Sequence, residues 1–253
     1  MLDDRAAFKA FEAAGWSARA ATYGALIARA TARAADALLA GVEPGDRLLD
    51  VGSGPGALAA AAAARGALVT GVDLSPGMVA AARSRHPDLE FVEGDAEHLP
   101  FADGAFDVVT GAFVINHVPD PERAVAEMKR VSRRCVALAM WAEDTLLFAL
   151  PTQAAGDAPA GAPPGPDAER FARRENLAKL LDGDITEIAF ELEIPSFDAL
   201  WEGLKGGTVR TAARLHDSHR DELERLAEPY RRGAGYVLPT TVRVIACCRK
   251  PGS

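Results

Sequence analysis

Residues 48–66, LLDVGSGPGALAAAAAARG, constrain the fold more than any other stretch. An apolar run enters three closely spaced glycines and leaves as an alanine-rich segment, which reads as strand, tight turn and helix. Gly52, Gly54 and Gly56 carry no Cβ, so the backbone can turn sharply and lie against a ligand. Gly52, Gly54 and Ala57 also satisfy G-x-G-x-x-A, the dinucleotide fingerprint. Three readings stand at this point: a nicotinamide dinucleotide site, a site for another nucleotide-like cofactor, or a turn without ligand.

The rest of the chain extends the pattern. RLLDV, ALVTGVD, LEFVEGD, FDVVTGAF and CVALAMW are short apolar runs. Helical segments alternate with them: Ala57 to Arg65, a helix opening at Ser75-Pro76, and Pro121 to Val131. Such alternation predicts a mostly parallel sheet with helices on both faces. Before it, Trp16, Ala20, Tyr23, Ile27, Ala30, Ala34 and Leu38 recur at helical spacing, predicting one long helix that stops at GVEPGD. After Trp141 comes PTQAAGDAPAGAPPGPDAER, rich in Pro, Gly and Ala, read as a loop or lid. ENLAKLL, the surroundings of Trp201 and HRDELERLAEPYRR read as helical, DITEIAFELEI and YVLPTTVRVIACCRK as strands. The division expected is a helical cap over 1–44 and an α/β domain over 45–253, with a variable segment near 142–176.

Composition narrows the function classes. A net charge of −8 argues against nucleic acid as the main partner. The opening MLDDRAAFKAFEAAGW is acidic and lacks an apolar signal core, and Ala57 to Ala64 is far shorter than the ~20 residues of a membrane span. A cytoplasmic protein without membrane partners is the expectation. Cys135, Cys247 and Cys248 lie in apolar strands with no CxxC spacing, and are expected to be reduced core thiols. No set of residues suggests a metal site.

Two residues in the glycine stretch weigh against a dinucleotide. Asp50, two positions before Gly52, would face the negative charge of a pyrophosphate but suits a ligand carrying ammonium and sulfonium groups. Pro55 removes one backbone N–H that might serve a phosphate. With LLDVGSGPG, VTGVDLSPGMVAAAR, FVEGDAEHLPFADGAFDVV and INHVPDPERAVAEMKRV in order, the chain resembles the class I S-adenosylmethionine-dependent methyltransferases. The likeness is dense from about residue 46 to 131 and thins on both sides.

That resemblance implies a Rossmann-like fold with a seven-stranded, mostly parallel sheet. It implies S-adenosylmethionine as cofactor and S-adenosylhomocysteine as product. Gly52, Gly54 and Gly56 would form the floor under the methionine portion, with Asp50 serving its ammonium group directly or through water. Asp73, about 20 residues beyond Gly52, would accept both ribose hydroxyls, although this distance also fits NAD. Leu74 and Met78 would pack against adenine, Asp95 accept from its amino group, Ala96 contact the ring through its amide, and Gly111 offer its carbonyl near the methionine end.

The acceptor side is thinner. His117, just past the fourth strand, is either a general base or a structural histidine. His98, His216 and His219 read as loop or solvated residues. Asn116 either orients a substrate or caps a turn. Phe11, Trp16 and Tyr23, with Trp141, Phe148 and Trp201, are aromatic residues for the core or for a small apolar acceptor; Trp16, Tyr23, Asn116 and Trp141 are the substrate-binding candidates. One departure from the family is KRVSRRCVALAMW, where Ser132, Arg133 and Arg134 replace a proline-glycine turn, so altered loop geometry is expected there. The function expected is methyl transfer to oxygen, carbon or nitrogen of a small molecule by a monomer or homodimer. High Ala, Gly and Arg usage hints at bacterial specialised metabolism. The alternatives are a cofactor-binding scaffold that rearranges or cyclises a metabolite, and an NAD-dependent dehydrogenase.

Overall fold

Eight strands form one sheet in the computed structural model, which describes residues 2–23, 26–143, 145–156, 163, 167 and 170–248. The N-terminal region contributes α1 (Leu2–Arg19), α2 (Ile27–Thr31) and α3 (Ala35–Leu38). Then follow β1 (Arg47–Val51), α4 (Ala57–Ala63), β2 (Leu68–Asp73), α5 (Pro76–Arg85), β3 (Glu90–Glu93), β4 (Phe106–Ala112), α6 (Pro121–Val131) and β5 (Ser132–Trp141). The remainder comprises α7 (Leu146–Ala155), α8 (Arg174–Leu180), β6 (Asp184–Ile194), α9 (Phe197–Lys205), α10 (Val209–Arg214), α11 (Arg220–Ala227), β7 (Arg231–Arg232) and β8 (Gly235–Cys248).

The sheet order is β3-β2-β1-β4-β5-β8-β6, parallel through β5 and antiparallel at β8. This is the Rossmann-like class I methyltransferase arrangement. The strand beyond the seven expected is β7, two residues that pair with the start of β8. The reversal between the outward series β1-β2-β3 and the series β4-β5 opens a crevice at the carboxyl ends of β1 and β4, where open α/β sheets bind ligands.

Local chemistry explains the boundaries. Ser75 caps α5 by accepting from Met78 N, and Asp120 caps α6 by accepting from Arg123 N, each ahead of a proline at the first helical turn. The central strands are buried on both faces, so LLDV, VV and CVALAMW read as unbroken apolar runs. Pro239 falls in the part of β8 that pairs β6 before β8 meets β5 at Val242, where one strand side has no ladder to lose.

Three expectations are corrected. The long helix from Trp16 is broken: α1 begins earlier, the chain turns after Arg19, and Tyr23 stands in that turn. Thr22, whose hydroxyl bonds back to Arg19 O at 3.3 Å, is a weak helix former that does not carry the stripe across. The buried stripe survives in pieces, with Ala20, Ile27, Ala30, Ala34 and Leu38 all in the core. The second correction concerns the thiols: β5 and β8 place Cys135 opposite Cys248, and the pair is joined as a disulfide, leaving Cys247 free. Nothing in a sequence separation of 113 residues reveals that neighbourhood. The third is the connection at Ser132–Arg134, which is no loop at all. β5 starts directly after α6, and the extra residues enter as a register shift against β4 between Phe106 and Val108.

Most of the loop from Pro151 to Pro166 lies outside the described residues, and its first part, Pro151 to Ala155, is the end of α7. Among the described residues, no helix is long and apolar enough to cross a membrane.

Candidate active site

A cleft of about 940 Å³ opens at the carboxyl ends of β1, β2 and β4. The turn after β1 forms its floor. Gly52 and Gly54 have φ of 68° and 50°, values that side chains with a Cβ rarely adopt, and both line the cleft. A Cβ on Gly54 would project into open space.

Asp73 ends β2 and points its carboxylate into the cleft. Gly54 N donates to Oδ2 at 2.8 Å and Ser75 N donates to Oδ1 at 2.9 Å. Each oxygen keeps further lone-pair capacity for a pair of hydroxyl donors. Burial pushes this carboxyl upward, against the two backbone N–H groups and His117, which draw it down. Leu74, Met78 and Ala96 line the same end, and Met78 is buried.

Asp95 is also on the wall, but it is not free. Lys9 from α1 donates to Asp95 Oδ2 at 2.6 Å and to Glu97 Oε2 at 2.7 Å. Burial raises and Lys9 lowers the Asp95 carboxyl, for a net depression, and Lys9 is raised in turn. His98 is mostly exposed, 3.5 Å from Asp95.

Three of the expected cofactor residues stand behind the wall. Gly56 starts α4 against His86 and Phe91, and Gly111 lies within β4 against Leu138 and Met128. Asp50 is 1% exposed; Thr110 Oγ1 donates to its Oδ1 at 3.1 Å, and among the described residues Oδ2 has no hydrogen-bond partner. Burial, opposed by Thr110 and aided by the charge of Asp73, lifts its pKa to about 7.

A second chamber of about 1150 Å³ adjoins the first. His117, Trp141 and Thr208 line both, so they mark the junction. Asn116, Met140, Phe148, Arg210 and Arg214 line the second only. Phe113 has a φ of 61°, a strained value for a ring-bearing residue, and its ring lies 4.4 Å from that of Trp141. Phe148 meets Trp141 at 5.3 Å. Trp16 and Tyr23 line the first chamber with ring centroids 5.7 Å apart. Phe11 and Trp201 line neither chamber, and Trp201 is core.

The roof is α1. Ser17 Oγ lies 2.8 Å from Ser75 Oγ and accepts from Gly77 N at 3.2 Å. Gly77 permits this approach, since a Cβ there would sit 2.7 Å from Ser17 Cα. Lys9, Glu12 and Ala13 line the cleft, Thr208 reaches it from the other side, and Arg210 stands next to it in the second chamber. Sequence reading missed all five. Glu12 and Lys9 are polar residues of an N-terminal helix, and no pattern tells which face meets the sheet. For Thr208, the available signal was its place as an N-cap before VRTAAR.

The comparisons with known proteins agree with this geometry. The Methyltransferase domain family matches residues 49–139. A demethylmenaquinone methyltransferase of Beutenbergia cavernae is 48% identical over 93 residues, covering 37% of this chain and 39% of that protein. Another of the same name, from Renibacterium salmoninarum, is 44% identical over 93 residues with the same coverage. The chain thus spans well under half the length of these curated relatives. A candidate methyltransferase of Bacillus halodurans C-125 superposes with a TM-score of 0.61 at 20% identity, over 86% of this chain and 98% of that one, a likeness of fold. Residues 49–139 thus match a methyltransferase domain, and the chain carries the class I S-adenosylmethionine-dependent methyltransferase fold.

Proposed function

We propose that the protein transfers a methyl group from S-adenosylmethionine to oxygen, carbon or nitrogen of a small-molecule acceptor. The observation that carries this reading is the continuity of the two chambers through His117, Trp141 and Thr208, with Asp73 and the Gly54 cradle at the far end of the first. A carboxylate held by two backbone amides and an open glycine turn fit the adenosine and methionine portions of the donor.

Bound S-adenosylmethionine supplies a methyl group already activated on sulfonium for in-line displacement. The chain's task is then alignment and dryness. Asp73 fixes the ribose, Leu74 and Met78 hold the adenine, and Asp95 with the Ala96 amide reads its edge. Trp16, Tyr23 and Trp141 enclose the junction and exclude water. His117 removes the acceptor's proton, and Asn116 faces the acceptor from the second chamber. Asp50 lies behind the wall and reaches the donor only through water.

The demethylmenaquinone relatives match over 93 residues, about the length of the donor half, so their acceptor does not transfer to this chain by similarity alone. The acceptor is set by α1, α7 and α10, with residues 1–44 acting as the cap, and the two-chambered cavity suits a small molecule better than a nucleic acid.

The test is incubation with isotopically methyl-labelled donor and a cell extract, read by mass spectrometry. Label appearing in a small molecule is the expected result. A consumed metabolite whose product carries no label would replace methyl transfer with a rearrangement on the same scaffold. Calorimetry that detects no heat with S-adenosylmethionine or S-adenosylhomocysteine would end both.

A further inference from the structure

We propose that Glu12 is the positioning residue of His117, so that the N-terminal helix completes the proton-accepting apparatus as well as covering the donor. The proposal rests on the reading of His117 as the base.

Glu12 has a side chain only 2% exposed, yet it carries a full set of donors. His117 Nδ1 lies 3.0 Å from Oε2, and Trp16 Nε1 donates to the same oxygen at 3.0 Å. Arg210 Nε donates to Oε1 at 3.3 Å, and its terminal nitrogen donates to Asn116 O at 3.2 Å, pinning the residue next to His117. Burial alone would raise the Glu12 carboxyl; His117, Arg210 and Trp16 together hold it below its ordinary value. An ionised carboxylate can only accept.

Nδ1 of His117 must therefore be the protonated nitrogen. Among the described residues no hydrogen bond claims Nε2, which keeps its lone pair for an acceptor proton. Trp16 sets the plane of the ring, edge-on at 5.1 Å and 79°. This is how a carboxylate fixes a catalytic imidazole's tautomer in general.

The placement adds a consequence. Glu12 sits one turn beyond Lys9, the residue that ties α1 to the Asp95–Glu97 corner. Docking of the cap over the donor therefore delivers the carboxylate to His117, and the base is correctly oriented only when the roof is in place.

The experiment is a long-range imidazole ¹H–¹⁵N correlation spectrum of the full chain at alkaline pH, with S-adenosylhomocysteine present. Wild-type His117 is expected as the Nδ1–H tautomer alone. Glu12→Gln, which keeps the shape but can donate as well as accept, is expected to populate both tautomers. Its affinity for S-adenosylhomocysteine should stay within about threefold, and kcat should fall about tenfold or more with KM for the donor little changed. A wild-type Nε2–H tautomer overturns the proposal whether or not the variant folds. So does an unchanged spectrum in a folded Glu12→Gln protein. Because the spectrum needs no acceptor, it fails separately from the base assignment, which is lost if His117→Ala retains full turnover.

Discussion

The two chambers share His117, Trp141 and Thr208 but are assembled by different means. The floor of the first chamber is made of strand ends and the few residues after them: Gly52 and Gly54 after β1, Asp73 and Leu74 at β2, Asp95 and Ala96 after β3, with α1 as its roof. Parallel topology brings those ends to one edge without further instruction. The second chamber borrows side chains from α7 and α10, and at the junction the contacts around His117 span 105 residues from Glu12 to His117 and 198 from Glu12 to Arg210. A donor site of this kind can be inherited as a block, whereas the acceptor site depends on how the flanking helices dock.

Removing Asp73 tests the first half most severely. Its carboxylate is oriented by two backbone amides before any ligand arrives, at 2.8 and 2.9 Å. Two charge-assisted hydrogen bonds to a ribose are worth about 1.5–3 kcal/mol each. Asp73→Ala should weaken S-adenosylhomocysteine binding by about 100-fold or more in calorimetry. Phe148→Leu, a change confined to the second chamber, should leave that affinity within about threefold. Equal losses in the two variants would show that the chambers are not separable.

Asp50 sharpens the comparison from behind the wall. Its folded pKa of about 7 stands above the ordinary 3.8. For a carboxyl raised on folding, the unfolded chain ionises first as pH rises, so it sheds its proton while the folded chain still holds one. Stability therefore falls between about pH 4 and pH 7 and levels off above. Asp50→Asn has no proton to lose, so it should unfold at higher temperature than wild type at about pH 8. The advantage should be a few kcal/mol, at about 1.4 kcal/mol per unit of pKa, shrinking to nothing near pH 4. Donor affinity should fall far less than in Asp73→Ala, by about tenfold at most. A variant less stable than wild type at alkaline pH would mean that Asp50 is ionised and satisfied in the native state.

The same division governs what could be read from the sequence. Asp73, Leu74, Met78, Asp95 and Ala96, which the family resemblance implies as cofactor residues, all line the first chamber, and each follows a strand whose end is legible. β6 and α6 were delimited to the residue by alternation and by a proline start. Asp50 was legible as a motif residue but not as a buried one, because a strand buried on both faces offers no alternation to say where its polar residue lies. The Cys135–Cys248 pairing was hidden, since it follows from β8 inserting beside β5, a tertiary fact. Lys9 and Glu12 were hidden for the same reason. A helix of Ala, Lys and Glu has several faces that look alike until the surface it docks on is known.

The smallest expected effect is at Lys9, where the two halves are fastened together. Its ammonium binds Asp95, the residue assigned to adenine, and Glu97, whose side chain is 3% exposed and which also accepts from Asp120 N at 2.8 Å. Lys9→Met keeps the length and apolar stem but removes the tie. An ion pair at this partial exposure contributes about 1 kcal/mol, so the melting temperature should drop by a few degrees. If α1 is a roof fastened at this corner, S-adenosylhomocysteine should dissociate about threefold faster in stopped-flow displacement, with little change in association. Slower dissociation would mean instead that Lys9 competes with adenine for Asp95, and the corner would then belong to the donor chamber alone.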